Sequence, residues 1–184
     1  MCMYGLVNKV IKDAIIQRYG LSGWQAVCKG IELEDDIFVN LQSYPDELTH
    51  RMVAEAASYA GQSVPDMLME FGRHWIKYNA VHGYGDMLKL AGRDLYTFLS
   101  NLDHMHAGMS HVFPELRPPS FRCERLGENQ LKLHYRSERQ GLASFVTGML
   151  QGLGGYFEAT LEVKHTGSCT EEPICEVFII DIKA

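Results

Sequence analysis

Apolar residues recur every three or four positions through the first two thirds of the chain and every second position after that, so a helical part is expected to give way to a sheet. Met3, Val7, Val10, Ile11, Ala14 and Ile15 share one face of a helix predicted to end near Gly20, and a second short helix is predicted over 24–29. Beyond Tyr44-Pro45, the positions of Leu48, Met52, Val53 and Ala56 predict an amphipathic helix over 46–59, with Gly61 just past its end. Val64-Pro65-Asp66 opens another, since proline in a first turn gives up no helical hydrogen bond. Leu68, Phe71, Trp75 and Tyr78 form its buried stripe, and it should stop before Gly83. A further helix over 94–109 carries Leu95, Phe98, Leu99, Leu102, Met105, His106 and Met109 on its apolar side, which turns His106 inward.

Pro114, Pro118 and Pro119 interrupt the helical pattern, and from Phe121 the period becomes two, with Leu131, Leu133 and Tyr135 on one face. One helix returns over 142–157, where Leu142, Phe145, Val146, Met149, Leu150, Leu153 and Phe157 repeat at helical spacing. Strands are predicted over 159–164 and 174–182. The expected architecture is α+β, one domain over 1–184: an N-terminal helical part followed by a small antiparallel sheet with one inserted helix.

Tyr135, Ser137 and Arg139 occupy alternate positions and should project together from the face begun by Leu131 and Leu133. Two hydroxyls and a guanidinium at the end of an apolar face suit an amphipathic ligand bearing carboxylates, because arginine grips a carboxylate bidentately and hydroxyls donate to its remaining lone pairs. Pattern alone fits an exposed polar strand end better, and an inward histidine such as His106 is more often hydrogen-bonded locally than bound to a metal. His104, His106 and His111 do not form a chelating set, since helix positions two apart point roughly 200° apart.

Composition narrows the partners. The net charge of −6, with no run of basic residues, argues against nucleic acid. No stretch approaches the roughly 18 apolar residues of a membrane span, and the N-terminus lacks a secretory layout, so a soluble, cytoplasmic protein is expected. The cysteines Cys2, Cys28, Cys123, Cys169 and Cys175 form an odd set, for which reduced thiols are expected.

Several separated motifs occur in a fixed order: Met3-Tyr4-Gly5-Leu6-Val7-Asn8, Gly83-Tyr84-Gly85, Asn101-Leu102-Asp103, His106, Arg117-Pro118-Pro119-Ser120-Phe121-Arg122-Cys123, and the segment from Leu133 to Leu142 with its Tyr-x-Ser-x-Arg. In these the chain resembles the H-NOX family, the haem nitric oxide/oxygen binding domains that also form the haem domain of the soluble guanylate cyclase β subunit. The resemblance implies haem b, iron protoporphyrin IX, held between the helical part and the sheet. It makes His106 the proximal iron ligand, Tyr135, Ser137 and Arg139 the propionate clamp, and Pro119 the residue pressing on the porphyrin. Val7, Ile11, Trp75, Phe145 and Met149 would line the distal pocket. Oxygen-binding members place a tyrosine where this chain has Phe145, which implies nitric oxide, and also carbon monoxide, as ligands. The loss of one hydrogen bond to a charged acceptor, ~1.5–3 kcal/mol, is enough to disfavour oxygen.

On that reading the protein is a regulatory sensor without a reaction of its own. Weakening of the bond to His106 and a shift of haem and helix would signal to a histidine kinase, or to a cyclic-di-nucleotide or guanylate cyclase-type effector, in trans. Three alternatives stay open. An oxygen sensor would share the scaffold. A haem enzyme such as a peroxidase would need distal acid–base residues, which the expected pocket lacks. A zinc or redox switch would use His165, Cys169 and Cys175 near the C-terminus, although a structural zinc site wants four ligands.

Overall fold

The computed structural model describes residues 2–82, 84–112, 117–169 and 174–183. Gly83 and Pro114 lie outside the described residues, as do the side chains of Cys2, Met109, His111 and Cys169. The order is β1 (Cys2–Tyr4), α1 (Gly5–Gly30), β2 (Ser43–Pro45), α2 (Asp46–Ala60), α3 (Val64–Val81), α4 (Gly85–Ala91), α5 (Leu95–Val112), β3 (Ser120–Gly127), β4 (Gln130–Arg136), α6 (Ala143–Tyr156), β5 (Thr160–Cys169) and β6 (Cys175–Lys183). The fold is α+β, as the change of period requires.

The two predicted N-terminal helices are the halves of α1, divided at Gly20, whose φ of 71° is open to glycine but strained for other residues. Met3 does not lie on that helix. It sits on β1, which pairs antiparallel with β2 through Met3 and Tyr44. The chain turns from strand into helix at Gly5, where a Cβ would collide with the Val39 carbonyl oxygen and the Tyr44 ring. α2 ends on Gly61 in the left-handed conformation (φ 62°), and α3 begins at Ser63, whose side chain accepts from the Asp66 backbone N–H at 3.2 Å.

The larger sheet has the order β3-β4-β6-β5, every pair antiparallel. Its inner face carries Leu131, Leu133 and Tyr135 from β4 with Phe178 and Ile180 from β6, all buried. In register, Tyr135 stands opposite Phe121 and Leu133 opposite both Cys123 and Phe178. β5 continues five residues beyond its predicted end at 164. A register shift between His165 and Gly167, with Gly167 at φ 125°, breaks the alternation there.

Two cores result. One packs the inner sheet face against α4, α5 and α6, with Leu99, Leu102, Leu150 and Leu153 at its centre. The other joins α1, α2 and the start of α3 around Ile15, Trp24, Val27, Met52 and Met67. α3 and α6 bridge them and cross backbone to backbone: Gly72 lies against the Phe145 carbonyl, and Gly148 against the Met69 carbonyl. No described helix is long and apolar enough to cross a membrane.

Candidate functional site

A cavity opens at the seam between the two cores, with about 1290 Å³ of empty space when its mouth is included. The space within it that water-sized molecules can occupy is about 240 Å³, near the lower end of the ~300–1,000 Å³ of small-molecule and cofactor sites. His106, Pro119, Tyr135, Ser137, Arg139, Val7, Ile11, Trp75, Phe145 and Met149 all line this one space. They come from α1, α3, α5, α6, β4 and the segments flanking the sheet, and only the tertiary fold brings them together.

His106 lies on α5, half-buried, with Nδ1 3.1 Å from the Pro119 carbonyl oxygen. A carbonyl only accepts, so Nδ1 carries the proton and the lone pair is on Nε2, the tautomer in which Nε2 serves as a metal ligand. Burial pushes the imidazole pKa below its ordinary value, outweighing the Pro119 hydrogen bond and the Asp103 charge that raise it, so the neutral form is favoured. The Asn101-Leu102-Asp103 motif gains a physical role here. Asn101 donates to the Ala91 carbonyl of α4 at 2.7 Å, while Asp103 accepts from the Phe121 backbone N–H at 2.5 Å and the Ser120 hydroxyl at 3.0 Å. The Asp103 bonds lock α5 to the segment that carries Pro119, and the Asn101 bond ties it to α4.

The polar end of the cavity differs in one respect from the strand reading. β4 ends at Arg136, so Ser137 and Arg139 lie beyond it, and alternation does not place the guanidinium. The Arg139 backbone N–H donates to Ser137 Oγ at 3.0 Å, a serine turn that bends the chain. Arg139 Nε then donates to Asp46 Oδ2 at 3.1 Å, across to α2, and Nη1 to the Arg117 carbonyl at 3.1 Å. Tyr135 shares a side-chain hydrogen bond with Ser137, and burial raises its phenol pKa, so it stays a donor at neutral pH. Asp46 was invisible to sequence reasoning, because its only signal is a first-turn acidic residue of α2.

The rest of the wall is apolar. The Trp75 and Phe145 rings meet edge to face with centroids 6.2 Å apart. Tyr135 of the polar end is the only tyrosine among the described lining residues. Tyr78 turns away and stacks on His82 at 4.0 Å. Thr49 and His50 of α2, which sequence reasoning missed, also line the space. Thr49 Oγ1 donates to Asn8 Oδ1 at 2.6 Å, so its proton points toward a buried neighbour. A separate polar cleft beside α1 is lined by Lys9, Lys12, Asp13 and Asp36. Its charges are largely paired locally, Lys12 with Asp36 and His74 with Asp13, both at 2.7 Å.

The C-terminal hairpin corrects the thiol reading. Cys175 is disulfide-bonded, so it offers no thiolate to a metal, and His165 Nε2 is 2.7 Å from the Glu176 carboxylate. Among the described residues no group of three or more His, Cys, Asp or Glu is placed to hold a metal ion, and the set His165, Cys169 and Cys175 gains no support. Cys28 and Cys123 are free thiols. Cys123 packs against the sheet core, where burial pushes its pKa up to about 11.

The donor set suits an amphipathic, metal-bearing macrocycle: one imidazole held by the Pro119 carbonyl in an apolar wall, and a polar rim able to take anions. The profile described as Haem-NO-binding matches residues 4–165. Soluble guanylate cyclase gcy-31 of Caenorhabditis elegans is 31% identical over 151 residues, covering 82% of this chain and 22% of that protein. Soluble guanylate cyclase gcy-37 of the same organism is 33% identical over 152 residues, covering 81% of this chain and 22% of that protein. The chain thus spans about a fifth of the length of these relatives. Its fold matches an oxygen-binding H-NOX domain related to soluble guanylate cyclases, solved as the oxygen complex, with TM-score 0.83 and 20% identity over 99% of this chain and 96% of that one.

Proposed function

Because this chain belongs to the haem-NO-binding family, whose domains bind haem and act as gas sensors, we propose that it senses nitric oxide at ferrous haem b with His106 as the protein's ligand to the iron. The observation that carries the reading is the joining, in one cavity, of an imidazole whose tautomer is set by the Pro119 carbonyl and the polar rim of Tyr135, Ser137 and Arg139. An apolar slot holds the face of a porphyrin, and the rim takes its propionates. His106 would hold the iron of ferrous haem there, and that iron would supply a binding site for diatomic gases.

The chain's own residues do the rest. Val7, Ile11, Trp75, Phe145 and Met149 keep water from the gas side, and Pro119 meets the ring as a rigid wedge. α5 carries any displacement of His106 to its exposed positions His104, Ala107 and Gly108, where a partner can read it. That partner is a histidine kinase, or a cyclic-di-nucleotide or guanylate cyclase-type effector acting in trans. The cyclase relatives support the last of these.

Nitric oxide is favoured over oxygen because Phe145 offers no hydrogen bond and the Thr49 proton is committed to Asn8. Oxygen binding is kept as a second reading on one observation: Trp75 lines the cavity and carries an indole N–H. Visible spectra of the reduced protein, recorded anaerobically, in air and with nitric oxide, separate the two. A band unchanged by air and blue-shifted by nitric oxide is expected, and a stable oxygen complex would move the assignment to Trp75. His106→Gly should lose haem on gel filtration and regain it with added imidazole. Full haem retention with an unchanged ferrous spectrum would remove His106 as the ligand.

A further inference from the structure

We propose that His50 on α2 holds the second carboxylate of the cofactor, at the mouth of the cavity one helical turn from the Arg139–Asp46 pair; the assignment rests on reading the cavity as a haem site. Protoporphyrin carries two propionates on neighbouring pyrroles, so both leave the same edge of the ring and both need donors at the same rim. Tyr135, Ser137 and Arg139 supply one cation for two anions. That cation is already shared: Arg139 Nε is 3.1 Å from Asp46 Oδ2, and the two charges cancel. The other Asp46 oxygen, Oδ1, is buried without a hydrogen-bond partner, so this part of the rim offers a carboxylate no further donor. Beside the hydroxyls of Tyr135 and Ser137, the rim needs a second group able to carry positive charge, outside that pair.

Among the described lining residues, the side chains able to carry positive charge are Arg139, His106 and His50. His106 is turned to Pro119. His50 lines the cavity while remaining exposed to solvent, which places it at the opening, where the charged end of an amphipathic ligand keeps contact with water. It follows Asp46 by four residues on α2, so the two side chains share one helix face with Cβ atoms roughly 5–6 Å apart. Since Asp46 grips Arg139, the imidazole stands about one turn along from the guanidinium. Neutral imidazole keeps one N–H donor and its protonated form has two, so it serves a carboxylate in either state.

The test is the rate at which purified ferric holoprotein gives up haem to excess apomyoglobin, followed by the Soret band. His50→Leu should release haem about tenfold faster, in line with loss of a hydrogen bond to a charged acceptor, and His50→Gln, which retains an N–H donor, should recover most of the difference. With iron protoporphyrin dimethyl ester, which has no free carboxylates, the gap between His50→Leu and the unsubstituted protein should close. A His50→Leu rate within twofold of the unsubstituted protein, or the same gap with the diester, overturns the assignment of His50 alone. Failure of the unsubstituted protein to take up haem at all would remove the haem reading and this assignment together.

Discussion

The Nδ1 nitrogen of His106 stands 3.1 Å from the carbonyl oxygen of Pro119, a hydrogen bond that holds the imidazole as one tautomer and ties α5 to the start of the sheet. Burial keeps this imidazole neutral in the folded apoprotein, with its pKa below the ordinary 6.5. Once pH falls below that value the unfolded chain binds a proton that the folded chain refuses, so stability is lost on acidification. His106→Gln should flatten the fall below pH 6.5, by at most about 1.4 kcal/mol per pH unit, the limit for one proton. Urea melts of the two apoproteins between pH 5 and 7.5, as an approximate working window, measure it. Parallel curves would mean that His106 takes its proton as readily folded as unfolded. His134, also lowered by burial, contributes equally to both proteins and drops out of the comparison.

Arg139 and Asp46 are 93 residues apart in sequence and form an ion pair whose side chains are 12% and 14% exposed. Removing one partner leaves the other charge in a poorly solvated site. Asp46→Ala should therefore cost the apoprotein about 1–3 kcal/mol, below the 3–5 expected of a fully buried pair because some water reaches both groups. A urea midpoint unchanged by the substitution would show that Arg139 finds equal solvation elsewhere.

Gly148 lies against the Met69 carbonyl where α6 crosses α3. Gly148→Ala would gain helix propensity, up to ~1 kcal/mol, but the methyl group meets backbone that cannot turn aside. Overpacking of this kind costs about 1–3 kcal/mol, so the net effect should be destabilising. Because Phe145 and Met149 ride on α6 into the cavity, the ferrous nitric oxide spectrum of the variant should also shift. A more stable protein with the parent spectrum would show that the helices separate freely.

The Cys123 thiol, with its pKa pushed from 9.0 up to about 11 by burial, holds almost no thiolate at pH 8. Iodoacetamide should modify it far more slowly in the folded protein than in urea, as mass spectrometry of the labelled peptide would report. Its raised folded value also makes stability fall as pH climbs from 9 towards 11, and Cys123→Ala should remove that component. Equal labelling rates in the two states would place the thiol at the surface.

The amino-acid sequence by itself determined the elements with long apolar repeats. The stretches 46–59, 94–109 and 142–157 became α2, α5 and α6 with no end moved by more than three residues, because stripes of four to seven side chains overdetermine a helix. It also determined the chemistry on offer: an inward imidazole at position 106, and two hydroxyls with a guanidinium after an apolar strand face. Elements held by partners distant in the chain escaped it. β1 and β2 are three residues each and exist only through pairing with one another, and the seven residues of α4 are too few to show a period. That Cys175 is disulfide-bonded has no signal in the spacing of the five cysteines, because such a bond depends on which residues the fold brings together. Tertiary structure alone decided where Arg139 sits, since the strand stops at Arg136 and Asp46 fixes the guanidinium from another helix. It alone made the cavity, because an opening between two cores is a property of how α3 and α6 cross at Gly72 and Gly148, and the periodicity of a single segment carries no record of its neighbour.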